Sequence, residues 1–362
     1  MLGQRLRLAR KKAGLSMQQL ADHMSPSVSV QAISKYEAGM MMPRSSVLMA
    51  LGKALGVSLD FLMGGQVEAL TRIEFRKHSH TSAKDRALVE AMVTEQLEDY
   101  LTIEDILEIA PPADPFGGLR CDRVASFEEI DLQAQALRDY WHLGYAPILS
   151  MAGLLESKGI KVIEADFPEH CDGLVCSVKR TGGRPDTEAI LVSGRTNIER
   201  KRFNLAHELA HRVIRGTGNR NIKIEQAMHR FTSAFLVPAE SLREEVGGPR
   251  RRIPYCELIR LKRFYGISAV GILVRLRDVG ILSEGTVGYA FRTYARPWRT
   301  NEPEPTTEDK GLGAFEKPLR FERLVWRAVG DELIAPVRAA QLLKRPLDEV
   351  ERSIRGGRWP GK

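Results

Sequence analysis

The chain has 362 residues, 43% hydrophobic and 28% charged, which is the composition of a globular protein large enough for about two or three cores. A formal charge of +8 and a pI near 9.3 favour a polyanionic partner. No apolar run is long enough to span a bilayer and no secretory apolar segment opens the chain, so membrane-spanning and exported classes are set aside in favour of the cytoplasm. Cys121, Cys171, Cys176 and Cys256 are scattered, with neither C-x-x-C spacing nor a disulfide framework, and are expected to be buried free thiols in a reducing compartment.

Residues 1–65 read as five short helices. The first carries Leu2, Leu6 and Ala9; Ser16 caps the second and Ser29 the third, which closes at Gly39. Val47, Leu48, Leu51 and Leu55 mark the fourth, and Leu59, Phe61 and Leu62 the fifth. Short helices joined by a tight turn suit a helix-turn-helix unit. On the third helix Gln31, Ser34 and Lys35 point away from Ile33 and Tyr36. In a major groove Gln reads adenine bidentately, while Ser and Lys reach base edges or phosphates. Eight basic residues face three acidic ones in this segment, as a phosphate-binding module requires.

The motifs S-x-x-Q-L-A from Ser16 and S-x-Q-A-I-S-K-Y-E-x-G from Ser29 resemble the Cro/CI (Xre) helix-turn-helix family over nearly all of residues 1–65. The resemblance implies that Gln31, Ser34 and Lys35 lie at the groove of an operator, bound by a homodimer on two half-sites. Met17 stands where the family often has Gln, and the turn at residues 25–28 is about two residues longer than usual.

Residues 66–118 are expected to be a connector. It includes an alternating stretch at 71–76 that reads as a strand, a long amphipathic helix over 83–108 with Leu88, Met92, Leu97, Tyr100, Leu101 and Ile106 on its stripe, and a Pro- and Gly-rich linker over 110–118. His78 and His80 are read as exposed surface residues. Two further helices follow, with Ile130, Ala134, Leu137 and Trp141 on one and Leu149, Leu154 and Leu155 on the next. The period then shifts to that of strands at residues 160–165, 173–178 and 188–192. The 173–178 strand is expected at the sheet edge, free to pair with a substrate peptide.

Directly after the strands comes R-F-x-L-A-H-E-L-A-H from Arg202. Residues four apart share a helix face, so His207 and His211 can present two imidazole nitrogens to one metal ion, zinc being the usual occupant. Glu208, beside them, is placed to accept a proton from activated water. Glu225 opens a second helix, with Phe231, Ala234 and Phe235 on its apolar face and Pro238 at its end. Glu225 can close the metal shell while His229, four residues on, hydrogen-bonds a ligand from behind or competes as one.

This helix, followed by E-x-x-x-x-R-F-x-x-A-F-L-x-P from Glu225, resembles the ImmA/IrrE family of zinc-dependent peptidases. The resemblance implies Zn2+ on His207, His211 and Glu225, with Glu208 as general base; the family usually has Asn where His229 stands. A helix pair over 257–283 is expected to form a helical lid on the peptidase core. Residues 297–318 are expected to be an exposed loop, 319–354 to be helical, and the basic run at Arg250, Arg251 and Arg252 to be a solvated loop.

The expected architecture is α+β and mostly helical: a helix-turn-helix bundle over 1–65, a connector over 66–118, a zincin-like domain with a small sheet over 119–285, and a loop and helical extension over 286–362. The expected function is a DNA-binding transcriptional regulator whose zinc-dependent metalloendopeptidase domain cleaves a partner such as a repressor. It would be nucleoid-associated when bound to double-stranded DNA. The alternative is an antitoxin-like protein that neutralises a toxin without proteolysis.

Overall fold

The computed structural model describes residues 2–77, 83–110, 114–165, 171–307 and 315–355. Expectations for His78 and His80 lie outside them. The N-terminal bundle comprises α1 (Leu2–Lys12), α2 (Met17–Asp22), α3 (Val30–Glu37), α4 (Ser45–Leu55) and α5 (Leu59–Met63). Next come β1 (Val67–Lys77) and α6 (Ala83–Ile106), then α7 (Phe127–Tyr140), α8 (Met151–Ser157), β2 (Lys161–Ala165), β3 (Cys171–Arg180) and β4 (Thr187–Ser193). A helical array completes the chain: α9 (Ile198–Val213), α10 (Ile224–Leu236), α11 (Ala239–Val246), α12 (Tyr255–Tyr265), α13 (Ala269–Asp278) and α14 (Glu284–Arg292), followed by α15 (Arg320–Gly330), α16 (Pro336–Leu343) and α17 (Leu347–Arg355). The fold is therefore α+β and predominantly helical.

Local chemistry sets the ends of the N-terminal helices. Ser16 accepts from the Gln19 amide while the Gln19 side chain accepts from the Ser16 amide, closing a capping box, and Ser29 accepts from Ala32. Gly56 ends α4 at φ 63°, a left-handed conformation that costs glycine little. Leu6, Ala9, Leu20, Ile33, Leu51 and Leu62 form the bundle core. Gly3 lets α1 approach the end of α3, where a Cβ would collide with the carbonyl oxygens of Tyr36 and Glu37. Arg10 on α1 then clamps Glu37 on α3 through two nitrogens, at 2.6 and 2.9 Å.

The sheet order is β1-β3-β4-β2, with β1/β3 and β3/β4 antiparallel and β2/β4 parallel. Both faces are covered. Val162, Val175, Ile190 and Val192 turn toward α9 and the main core, whereas Ile163, Leu174, Cys176 and Leu191 turn toward Val89, Val93, Leu97 and Leu101 of α6. The alternation is that expected of strands buried on both sides.

This topology corrects one sequence expectation. Residues 173–178 are not at an edge: β3 is flanked by β1 and β4, and the edge strands among the described residues are β1 and β2. The covering strand comes from the stretch read as a connector, which is part of the sheet. The helix after it joins three bodies. Glu98 on α6 takes the Arg5 guanidinium of α1 and, at 3.0 Å, the Val67 amide of β1. The far end of α6 packs Tyr100 and Ile103 against Leu324, Val325 and Ala339 of the C-terminal helices.

A second correction concerns the described part of residues 297–318, namely 297–307 and 315–318, which is not merely an exposed loop. Glu316 is fully buried, pairs with Arg202 of α9, and accepts from the Met151 and Ala152 amides at 3.0 and 2.7 Å. Glu199 of α9 pairs with Lys262 of α12, both fully buried, and accepts from the Thr306 amide at 2.8 Å. The segment thus straps the N-terminal half of α9 to its neighbours. The cysteine expectation holds only in part: Cys176 is buried, Cys121 is partly exposed and Cys256 is exposed.

Glu156 of α8 is nearly buried and accepts from the Arg320 amide at the start of α15. Burial pushes its carboxyl up to about 7, against the opposing pull of the Arg320 amide and the Arg323 and Arg320 charges. The folded pKa lies above the unfolded one, so the native state holds the extra proton. Its contribution to stability is present at pH 4.5 and is lost as the pH rises toward 7. The expected result is a melting temperature that declines across this window more steeply in wild type than in Glu156→Gln. Parallel melting curves at pH 5, 6 and 7 would refute it.

Candidate metal centre and nucleic-acid interface

Asn197 starts α9 by accepting from the Arg200 amide at 2.9 Å, and Glu199 in the first turn complements the helix dipole. Leu205, Ala206, Leu209, Ala210 and Val213 bury one side of the helix in the main core. This fixes its rotation and carries His207 and His211 on an adjoining face. Their Nε2 atoms lie 3.3 Å apart.

α10 supplies the other half of the centre. The Glu225 carboxylate, in its first turn where the dipole favours negative charge, comes within 3.5 Å of His207 Nε2. His229 follows one turn later, its ring centroid 5.1 Å from that of His207. Among the described residues, the group whose ligand atoms all lie within 4.8 Å of one another is His207, Glu225 and His229; His211 approaches His207 but does not belong to that group. His207 is buried, His211 partly exposed, and Glu225 and His229 exposed, so the cluster opens to solvent on the α10 side. Phe203 stacks on the His207 ring at 6.4 Å and meets the His229 ring edge-on at 5.7 Å, bracing both.

These separations bear directly on a metal. Donors at about 2.0–2.2 Å from a tetrahedral zinc are roughly 3.3–3.5 Å from one another. The 3.3 Å between the two imidazoles and the 3.5 Å from His207 to Glu225 fit two edges of such a cage. The donor chemistry fits too, since neutral imidazoles and a carboxylate are ordinary zinc ligands. His229 stands near enough to act either as a further donor or as support for Glu225. Glu208 is 1% exposed, next in the chain to His207.

The placement of α10 depends on arginines that sequence patterns do not reveal. Arg138, fully buried, donates to the Phe235 carbonyl at 2.6 Å, and Arg275 donates to the Val237 carbonyl at 2.9 Å. Cations thereby meet the carbonyl end of the helix. Burial pulls the Arg138 guanidinium down to about 10. Arg230 and Arg275 converge on Asp131 of α7. The one available signal was an Arg inside the apolar stripe of α13, between Ile272 and Leu276.

Arg212, the residue after His211, was also missed. It pairs with Glu188 of β4 at 3.1 Å and reaches the Arg72 carbonyl of β1 at 3.5 Å. It thereby ties α9 to the edge strand.

In the N-terminal bundle Gln31, Ser34 and Lys35 are all exposed on α3, while Ile33 and Tyr36 are buried behind them. The helix thus presents a polar face supported by a rigid core.

Comparison with known proteins agrees with this division. Residues 6–62 match the helix-turn-helix family, and residues 155–277 match the IrrE N-terminal-like domain of peptidase family M78. The chain therefore carries an Xre-type helix-turn-helix domain followed by a metallopeptidase-like domain, and α9 and α10 with all five candidate metal-centre residues lie inside the second match. A protein of Bacillus subtilis (strain 168), described as an SPbeta prophage-derived uncharacterized HTH-type transcriptional regulator YonR, is 40% identical over 65 residues. The alignment covers 18% of this chain and 58% of that relative. No solved structure matches the chain. Among the described residues no helix is long and apolar enough to cross a membrane.

Proposed function

We propose that this protein is a DNA-binding transcriptional regulator whose second domain is a zinc-dependent endopeptidase acting on a protein partner. The observation that supports the reading is the approach of both His211 and Glu225, from two helices, to His207, in a chain that also presents an exposed polar helix. His207, His211 and Glu225 would hold the metal, with His229 beside them. When bound, the ion supplies Lewis-acid activation of water and of a peptide carbonyl. Glu208 takes the proton of the attacking water and returns it to the leaving amine. The edge strand β1, tied to α9 through Arg212, offers backbone groups for an extended substrate segment to pair with. Glu208 favours chemistry over a structural metal, because it is not required as a ligand in this assignment. No observation favours the antitoxin-like alternative.

At the other end, Gln31 reads a base edge, Ser34 and Lys35 contact base or backbone, and a homodimer matches two half-sites. Exposed Met40, Met42 and Met49 offer apolar surface for the second copy. Lys35→Ala is expected to weaken binding across all sequences and reduce the salt slope by about 1. Gln31→Ala is expected to relax discrimination at one base pair, worth about 1–3 kcal/mol. Gel shifts with the protein's own promoter region measure both. Two unchanged variants would remove α3 from the groove. Cleavage is tested by incubating the protein with the products of neighbouring genes.

A further inference from the structure

Away from both sites, α12, α14 and the turn after α14 enclose a surface groove of about 730 Å³. Tyr255, Tyr289, Tyr294 and Trp298 line it. The three tyrosines are 50%, 59% and 50% exposed. The Trp298 ring lies 5.5 Å from Tyr294, edge to face at 64°, and 6.2 Å from Tyr255, tilted at 54°, so the rings form one aromatic cluster whose faces point in different directions. Such exposure is unusual for residues that gain so much from burial.

The rim is basic. Arg251 and Arg252 line the groove, Arg292 follows on α14, and Arg296 and Arg299 flank Trp298; all five are exposed or partly so. No ion pair to a described residue occupies any of them, whereas Arg250 holds Glu257 at 2.8 Å. Glu284, in the first turn of α14, is the exposed carboxylate close by. Aromatic faces that accept bases, set among arginines that accept phosphates, are what an unpaired strand needs, since every base has a π-face. A duplex hides those faces. An acidic peptide would use the arginines and leave the aromatic faces idle.

We propose that this groove binds single-stranded DNA through stacking on Tyr289, Tyr294 and Trp298 and phosphate contacts to Arg251 and Arg252. The occupant is DNA because the same chain carries a duplex-DNA reader, which brings the groove to the strands it would meet when they separate. The inference is independent of the peptidase reading.

The test is fluorescence anisotropy of a labelled 15-mer of thymidylate with the full-length protein. Tyr289→Ala/Tyr294→Ala is expected to weaken binding at least about tenfold, leaving duplex operator binding unchanged. Arg251→Ala/Arg252→Ala, a second surface variant, is expected to lower the salt slope by roughly 0.7 for each phosphate no longer neutralised. Absence of wild-type binding would overturn the proposal. So would abolished 15-mer binding in Lys35→Ala but not in the tyrosine variant, which would assign it to the N-terminal bundle. Poly-glutamate competing equally well in wild type and tyrosine variant would make the groove an acidic-protein site, and tighter binding of a uridylate 15-mer would make it an RNA site.

Discussion

Glu208→Gln is expected to abolish measurable cleavage of the partner protein, with a loss of about 10²–10⁴ in rate, while metal content and DNA binding stay at wild-type levels. Gln preserves the size of the buried side chain and removes only its ability to accept and return a proton. Glu208 donates nothing to the proposed cage of His207, His211 and Glu225, so the metal should remain. The assay follows the appearance of a fragment from the products of neighbouring genes. Cleavage by Glu208→Gln at the wild-type rate would dismiss Glu208 as general base. Release of the metal in the same variant would show that Glu208 belongs to the ligand set.

The second large effect is on stability. Arg202 and Glu316 are both fully buried and hold together α9, the start of α8 and the segment just before α15. Arg202 also donates to the carbonyls of Ile148 at 2.6 Å and Gly266 at 2.9 Å. Arg202→Met strands the Glu316 carboxylate and those carbonyls in a dry interior, a cost of about 3–5 kcal/mol. For a domain of this size the melting temperature should fall by roughly 6–20 °C. Arg263→Met is the control. Its pair with Glu304 is largely exposed and should be worth under about 1 kcal/mol. Equal melting temperatures for Arg202→Met and Arg263→Met would show that the buried pair does not secure α9.

Some features were legible in the sequence and others were hidden, for physical reasons. The starts of α2 and α3 were visible because Ser16 and Ser29 cap through their own side chains, a local interaction. The two-histidine face of α9 followed from helical spacing alone. The approach of Glu225 to His207 required a tertiary contact, and only the start of a second helix hinted at it. The strap around Glu302 and Glu316 was read as solvated loop because it is rich in Pro, Gly and charge. Its acids instead find buried Lys262 and Arg202, far from them along the chain. The alternation at 71–76 marked β1 as a strand, but its partner β3 lies far downstream, and pairing at that distance leaves no local trace. That is also why the wrong strand was expected at the edge.

Zinc stoichiometry tests the central claim most directly. Purified full-length protein should carry about one zinc per chain. His207→Ala/His211→Ala should carry none while keeping its fold and its DNA binding, and His229→Ala should keep the metal with about 10–100-fold lower affinity. A double variant that retains its zinc, or wild type that takes up none when zinc is supplied, would contradict the account.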